Sequence, residues 1–310
     1  MTTHIDELMT FLSGSITPFH AVEVMAKTLQ RAGFEQLDQF DAVRMTPGKG
    51  YFVVHQGSSL MAVRAGQSGV ETGLRLVGAH TDSPNLSVKP NPVKGRDGCI
   101  QLGVDVYGGA LLNPWFDRDL GMAGRLSMLT PDNALRTTLF DTGRAVAVIP
   151  SLAIHLDREA NTQRSINRQK DVVPLVMLGE HQQYDLKTWL AQELARADSQ
   201  WQGARVMDYE LSLYDTQPPN QIGIDGDFIA SARLDNLLSC FAGMRALIDA
   251  DDAEWSLFVA TDHEEVGSAS TVGAQGPMLM DALAALAPDP KLNRMMRAQS
   301  WMMSVDNAHA

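Results

Sequence analysis

Apolar residues in this chain follow two spacings, and the spacing changes from block to block. Ile5–Leu12 reads as a short amphipathic helix. A second helix follows Thr17-Pro18, because Thr suits a helix cap and Pro the first turn. Its apolar positions Val22, Met25, Ala26 and Leu29 recur at helical spacing, and Gly33 ends it. That face is expected to pack on a sheet. Tyr51–His55 and Ser59–Arg64 are β-like runs around a Gly-Ser turn, which predicts a hairpin. Leu74–Gly78 and Trp255–Ala260 are compact apolar runs of the kind that form strands buried on both faces.

The character changes after Pro84. Residues 85–130 are rich in Gly, Pro and Asn and carry no long helical pattern. A short strand is expected at Ala145–Ile149 and a helix at Asp185–Ala197, with Leu186, Trp189, Leu190 and Leu194 as its stripe. Met207, Tyr209, Leu211 and Leu213 alternate as on a half-buried strand. From Ser231 the first pattern resumes. A helix is expected over Ser231–Asp249 with Leu234, Leu237, Leu238, Phe241 and Leu247 inward, another over Pro277–Leu286, and an apolar strand over Trp301–Val305. These readings predict a discontinuous α/β domain, residues 1–90 and 229–310, with a β-rich domain inserted at 91–228.

At 310 residues, two domains are the natural expectation. The formal net charge of −12 and pI near 5.0 argue against a phosphate-binding surface, so no nucleic-acid partner is expected. Cys99 and Cys240 form no CxxC pair, which excludes a thiolate metal site and fits a reducing compartment. The acidic start MTTHIDELM is unlike a signal peptide, and no apolar run reaches membrane-spanning length. The expected location is the cytoplasm, with no membrane partner.

The chemistry concentrates at the ends of these elements. TDHEEVGS, residues 261–268, sets His263, Glu264 and Glu265 at the end of an apolar strand, where α/β sheets build their sites. Adjacent acids there suit one metal ligand and one proton carrier; an acidic turn is the plainer alternative. His80 and Asp82 lie two apart, so in extended backbone they share a side, and Asp82 can fix the His80 tautomer. The competing reading is a capped surface turn. Asp235 near a helix start is also explained by the helix dipole, and Asp306 also suits a turn. A mixed His and carboxylate set of this kind suits zinc, cobalt or manganese in a hydrolytic site. Asp117, Arg118 and Asp119 read as an ion-paired structural corner, and His155 by itself reads as a satisfied core histidine.

Six stretches, GAHTDSPNLSVKP, YGG…WFDRDLGMAGR, IPSLAIHL, SARLDNL, TDHEEVGS and SVDNAHA, together resemble the aspartyl aminopeptidase family of di-zinc exopeptidases. They occur in the family's order and span essentially the whole chain. The resemblance implies a three-layer α/β/α catalytic domain with a mixed sheet and a β-rich insert used in assembly. It implies two zinc ions per subunit, with cobalt or manganese as substitutes. His80, Asp235 and Asp306 would hold one metal, and Asp235 would bridge to a second held by Glu265. Glu264 would be the general base and Asp82 would orient His80. His155, against its local reading, would reach the substrate in a neighbouring subunit. The implied assembly is a homo-oligomer, a tetrahedral dodecamer, and the implied substrates are peptides with N-terminal Asp or Glu.

The implied reaction is hydrolysis by a metal-activated water whose proton passes to Glu264 and then to the leaving amine. The family continues beyond SVDNAHA, so the last histidine of the second metal and much of the acidic-residue pocket are expected past Ala310. The chain is therefore expected to be a fragment, with a complete first site and a partial second one. Two other readings remain at this point: a metal-dependent deacylase of similar fold, and a non-catalytic subunit contributing assembly surfaces.

Overall fold

The computed structural model describes residues 3–40, 45–179 and 184–308. The chain divides into two compact units: Met1–Ser83 with Pro219–Ala310, and Pro84–Pro218. The divisions fall earlier than the expected 90/91 and 228/229. The segment starting at Asn85 already pairs in the sheet of the inserted unit, and the hairpin after Asn220 belongs with the other.

The first unit begins with α1 (His4–Gly14) and α2 (Pro18–Arg31). A reciprocal cap between Thr3 and Asp6 starts α1. Thr17 stands at the N-cap of α2, but its hydroxyl is hydrogen-bonded to the His20 ring rather than to the helix backbone. Gly33, at φ +85°, takes the chain out of α2 in a conformation glycine adopts without strain. Strands β1 (Glu35–Gln36), β2 (Gly50–His55), β3 (Ser59–Arg64) and β4 (Leu74–His80) follow, with β2 and β3 forming the expected hairpin.

In the inserted unit, β5 (Asn85–Arg96), β6 (Cys99–Tyr107), β7 (Leu120–Leu129), β8 (Leu135–Asp141), β9 (Leu175–Leu178) and β10 (Arg205–Asp215) form one antiparallel sheet in the order β8-β7-β10-β5-β6-β9. Helix α3 (Leu186–Ala197) is capped by Asp185 and buries Leu186, Leu190 and Leu194 in this unit's core. Ala145–Ile149 is not a strand: only Ala147 and Val148 make isolated bridges, and Pro150, which has no N–H, follows at once. The DRD corner makes the kind of polar contacts expected of it. Arg118 pairs with Asp215 at 3.2 Å, and Asp117 accepts from the Ser151 N–H.

The first unit then resumes with the hairpin β11 (Asn220–Ile222) and β12 (Phe228–Ala230), followed by α4 (Leu234–Asp249), β13 (Trp255–Thr261), α5 (Met278–Leu286), α6 (Pro290–Gln299) and β14 (Trp301–Ser304). Its mixed sheet runs β1-β2-β3-β13-β4-β14. Strand β13 is parallel to β4 and antiparallel to β3. Alternate residues of β13 serve different layers. Phe258 and Ala260 join the core under α1, α2 and α4, whereas Trp255, Leu257 and Val259 join the core under α5 and α6. Both faces are covered, so β13 is largely apolar, and the domain is a three-layer α/β/α structure. Burial of Phe52 and Phe258, each fully enclosed, contributes about 2–3 kcal/mol apiece. Leu238 is not inward as expected: Asp235 and Asn236 leave helical geometry, and the buried stripe of α4 runs through Asn236, Cys240, Gly243, Met244 and Leu247. Among the described residues no helix is long and apolar enough to cross a membrane.

Candidate metal centre

The site lies where β4, β13 and β14 end side by side. Thr261 stands beside His80 in the parallel β13–β4 pair, and the Val305 N–H donates to Gly78 beyond the end of β14. Residues just past these strand ends therefore converge, the usual place for a site in such a sheet. His80 is buried, at 4% exposure. Its Nε2 lies 3.4 Å from Asp235 Oδ1, 3.7 Å from Asp306 Oδ2 and 3.8 Å from Glu264 Oε2.

His80, Asp235 and Asp306 are the only group of such side chains among the described residues whose ligand atoms all lie within 4.8 Å of one another. The donor set fits zinc. Ligands about 2.0–2.2 Å from a tetrahedral ion stand roughly 3.4 Å apart, close to the two spacings from His80 to Asp235 and Asp306. The imidazole is also set for ligation. Its Nδ1 faces the Asp82 carbonyl at 3.0 Å and Asp82 Oδ1 at 3.3 Å, both acceptors, so the proton belongs on Nδ1. Nε2 then aims a lone pair at the acids, and it is buried with no hydrogen-bond partner.

Electrostatics show the same deficit of positive charge. Burial lowers the His80 pKa, but the hydrogen bond and charge of Asp82, with the charges of Glu264 and Asp306, push it up to about 9. Asp235 is raised by burial and by its charge and hydrogen-bond interactions with Asp306. Glu265 is raised by burial and by the charges of Asp235 and Asp82. A divalent cation would relieve all three.

The two acids of TDHEEVGS sit in a tight turn. His263 has φ +64°, and its N–H and ring both engage neighbours: the N–H donates to Asp262 Oδ1 at 2.7 Å, and Nδ1 is hydrogen-bonded to Ser270 Oγ at 2.8 Å. Asp82, at 1% exposure, clamps this turn from below. Its Oδ1 accepts the Glu264 N–H and its Oδ2 the Glu265 N–H, each at 3.1 Å. Glu264, His80 and Asp306 line a cavity of about 300 Å³, together with the apolar Val259, Met278, Leu279 and Met302.

The six residues expected at the site thus divide. His80, Asp235 and Asp306 are gathered, Glu264 faces them, and Asp82 lies beneath. Glu265 stands outside the cluster of three but close enough for the Asp235 charge to act on it. His155 is on an exposed turn of the inserted unit, not in a core, so its local reading is overturned. His309, in the last matching stretch, lies outside the described residues. Sequence reasoning missed Asp262, Asn236 and Cys240. Asp262 carried a signal, an acid at the end of an apolar strand; it is buried, and burial raises its pKa. Asn236 and Cys240 carried none.

Residues 11–310 match the family described as aminopeptidase I zinc metalloprotease (M18). A probable M18 family aminopeptidase 2 of Pseudomonas putida (strain GB-1) is 48% identical over 304 residues, covering 97% of this chain and 70% of that relative. The Ape4 chain in the cryo-EM structure of the Ape4 and Nbr1 complex is 32% identical with a TM-score of 0.89, and the match covers 98% of this chain and 63% of that one. The mApe1 dodecamer of S. cerevisiae is 26% identical with a TM-score of 0.79, covering 98% and 71%. With a buried imidazole aimed at carboxylates where three strands end, and with the match running through almost its whole length, this chain belongs to the M18 aminopeptidase I family of zinc metalloproteases.

Proposed function

We propose that this chain carries the metal centre of an aminopeptidase that removes N-terminal residues, Asp and Glu foremost, from peptides. The observation that carries the reading is the unpartnered Nε2 of His80 facing Asp235 and Asp306. In this reading His80, Asp235 and Asp306 would hold one zinc ion, and Asp235 and Glu265 would contribute to a second. The raised pKa of Glu265 and its electrostatic contact with Asp235 support that arrangement. Bound zinc supplies Lewis acidity, making a water easier to deprotonate and a carbonyl easier to attack.

The chain's own groups do the rest. Asp82 holds the Nδ1 proton of His80 and fixes the ring. Glu264, about half exposed on the cavity wall, receives a proton from the attacking water and returns it to the leaving amine. Its backbone N–H is held by Asp82, which fixes where the side chain starts. The preference for acidic N-termini rests on the resemblance to aspartyl aminopeptidases. Assembly into a dodecamer rests on that resemblance and on a similar protein solved as a dodecamer. The exposed turn bearing His155 is available to a neighbouring subunit in such an assembly.

The test is zinc content together with hydrolysis of aspartyl, glutamyl, leucyl and N-acyl substrates by the wild type and Glu264→Gln. Where the wild type binds zinc and cleaves the aspartyl and glutamyl substrates, Glu264→Gln is expected to keep zinc and lose turnover by about 10²–10⁴-fold. Undiminished turnover in Glu264→Gln would remove the proton role. Cleavage of N-acyl substrates alone would favour a deacylase.

A further inference from the structure

Asn236 directly follows Asp235 and is fully buried. Its Nδ2 donates to the Val305 carbonyl at 2.8 Å, and Val305 directly precedes Asp306. One side chain therefore ties the backbone beside one carboxylate to the backbone beside the other. The amide cannot be reversed, since its oxygen and the Val305 carbonyl are both acceptors only. Val305 is held from the other side as well, by its N–H on the Gly78 carbonyl. The Asn236 Oδ1, by contrast, is buried and meets no donor among the described residues. A half-satisfied carboxamide is a poor core residue, and leucine of similar volume would serve packing better. Its one hydrogen bond lands where it bears on Asp306.

We infer that Asn236 is a positioning residue that sets the separation of the Asp235 and Asp306 carboxylates, and through it the affinity of the site for a divalent cation. This rests on the reading of His80, Asp235 and Asp306 as metal ligands. Both acids are about half exposed, so the solvent side restrains them little, and their backbones must supply the register. The spacings from His80 Nε2 to these acids, 3.4 and 3.7 Å, are already near those of a bound ion. Loosening Val305 lets Asp306 drift from that register while the sheet, held by β4, stays in place.

Zinc binding by the wild type, Asn236→Leu and Asn236→Ser is measured by competition with a chromophoric chelator, alongside thermal unfolding of the metal-free proteins. Leucine keeps the volume and removes the donor. Serine leaves polar space in which a water can satisfy the Val305 carbonyl, which protects folding if leucine does not. The wild type is expected to bind zinc and each folded variant to bind it about 10–100-fold more weakly. A folded variant with wild-type zinc affinity overturns the inference, whatever its melting temperature. Failure of the wild type to bind zinc overturns the metal-centre reading instead. Hydrogen exchange of the wild type gives an arm that needs no variant. Segments 235–237 and 304–306 are expected to gain protection together when zinc is added, and a gain in one alone overturns the inference.

Discussion

Asp82→Asn is the most informative single change, because the structure specifies which contact it breaks. Asp82 Oδ1 serves two donors, the Glu264 N–H at 3.1 Å and His80 Nδ1 at 3.3 Å, whereas Oδ2 serves the Glu265 N–H at 3.1 Å. Asparagine has one acceptor and one donor at these positions. Its oxygen belongs on the Oδ1 side, where it satisfies two groups, and its NH₂ must then face the Glu265 N–H. A charge-assisted hydrogen bond worth about 1.5–3 kcal/mol is lost, and a donor is left against a donor. Relief of burying the carboxylate offsets part of this, leaving a net cost of about 2–4 kcal/mol. At about 2–4 °C per kcal/mol for a unit of this size, the metal-free protein should melt roughly 5–15 °C lower. Zinc affinity should fall about 10–100-fold as His80 loses its anionic partner. Calorimetry or thermal circular dichroism measures the first and chelator competition the second. Unchanged melting, to within the shift that about 0.5 kcal/mol would produce, would refute the clamp.

Other outcomes follow from the same geometry. The folded pKa of His80 is raised from 6.5 to about 9, so its stabilising contribution in the metal-free protein is fully present below pH 6.5 and is lost as pH rises through about 9. Asp235 and Glu265, also raised, act with the same sign at lower pH. Urea unfolding of the metal-free chain should therefore show falling stability from pH 6 to 9, while zinc affinity rises across that window as Nε2 sheds its proton; a flat profile for both would contradict the His80 environment. In the inserted unit, a Cβ on Gly124 would lie 1.9 Å from the backbone oxygen of Glu210 on the partner strand. Gly124→Ala should destabilise that unit by at least about 3 kcal/mol, read as an earlier transition in limited proteolysis of the β7–β10 region. Survival at wild-type levels would count against this β7–β10 register.

What was legible in the sequence is what periodicity records. The strands β3 and β13 announce themselves because they are buried almost throughout, and β2 and β4 because enough apolar residues remain around their half-exposed positions, Arg75 among them. The inserted β-rich unit was visible as a change of pattern after Pro84, where its first edge does fall, although the boundary was expected later, at 90/91. Helix α6 was missed although Asp289-Pro290 is a good start signal, with Asp289 Oδ1 accepting the Lys291 and Leu292 N–H groups; the helix buries only Met296 and so has almost no apolar stripe. The inward face of α4 was misjudged only at Leu238, which lies beside the buried stripe of Leu237, Cys240, Met244 and Leu247. At the site the charged residues stood out, and the family resemblance sorted their roles. Their support did not, because it consists of side chains bonded to backbone groups that every residue carries.

That support has a consistent polarity. Where chain segments present carbonyls around the site, neutral donors meet them. Asn236 bonds the Val305 carbonyl, Ser83 Oγ the Asp235 carbonyl at 2.6 Å, and Cys240 Sγ the His80 carbonyl at 3.0 Å. Where the turn after β13 presents N–H groups, a carboxylate meets two of them. Buried backbone groups at element ends need partners in any fold. Here those backbone groups belong to, or directly precede, the clustered residues His80, Asp235 and Asp306, so satisfying them also fixes the positions of those side chains. The neutral donors keep the ligand-bearing carbonyls in place without adding charge of either sign. Asp82 stands on the far side of the imidazole, where its charge would strengthen His80 as a metal ligand instead of competing with it. A site assembled from acids alone would repel itself apart. This one is braced by neutral hydrogen bonds to its backbone carbonyls and by the Asp82 carboxylate, which hold the Asp235 and Asp306 carboxylates close enough together for a cation to suit the cluster.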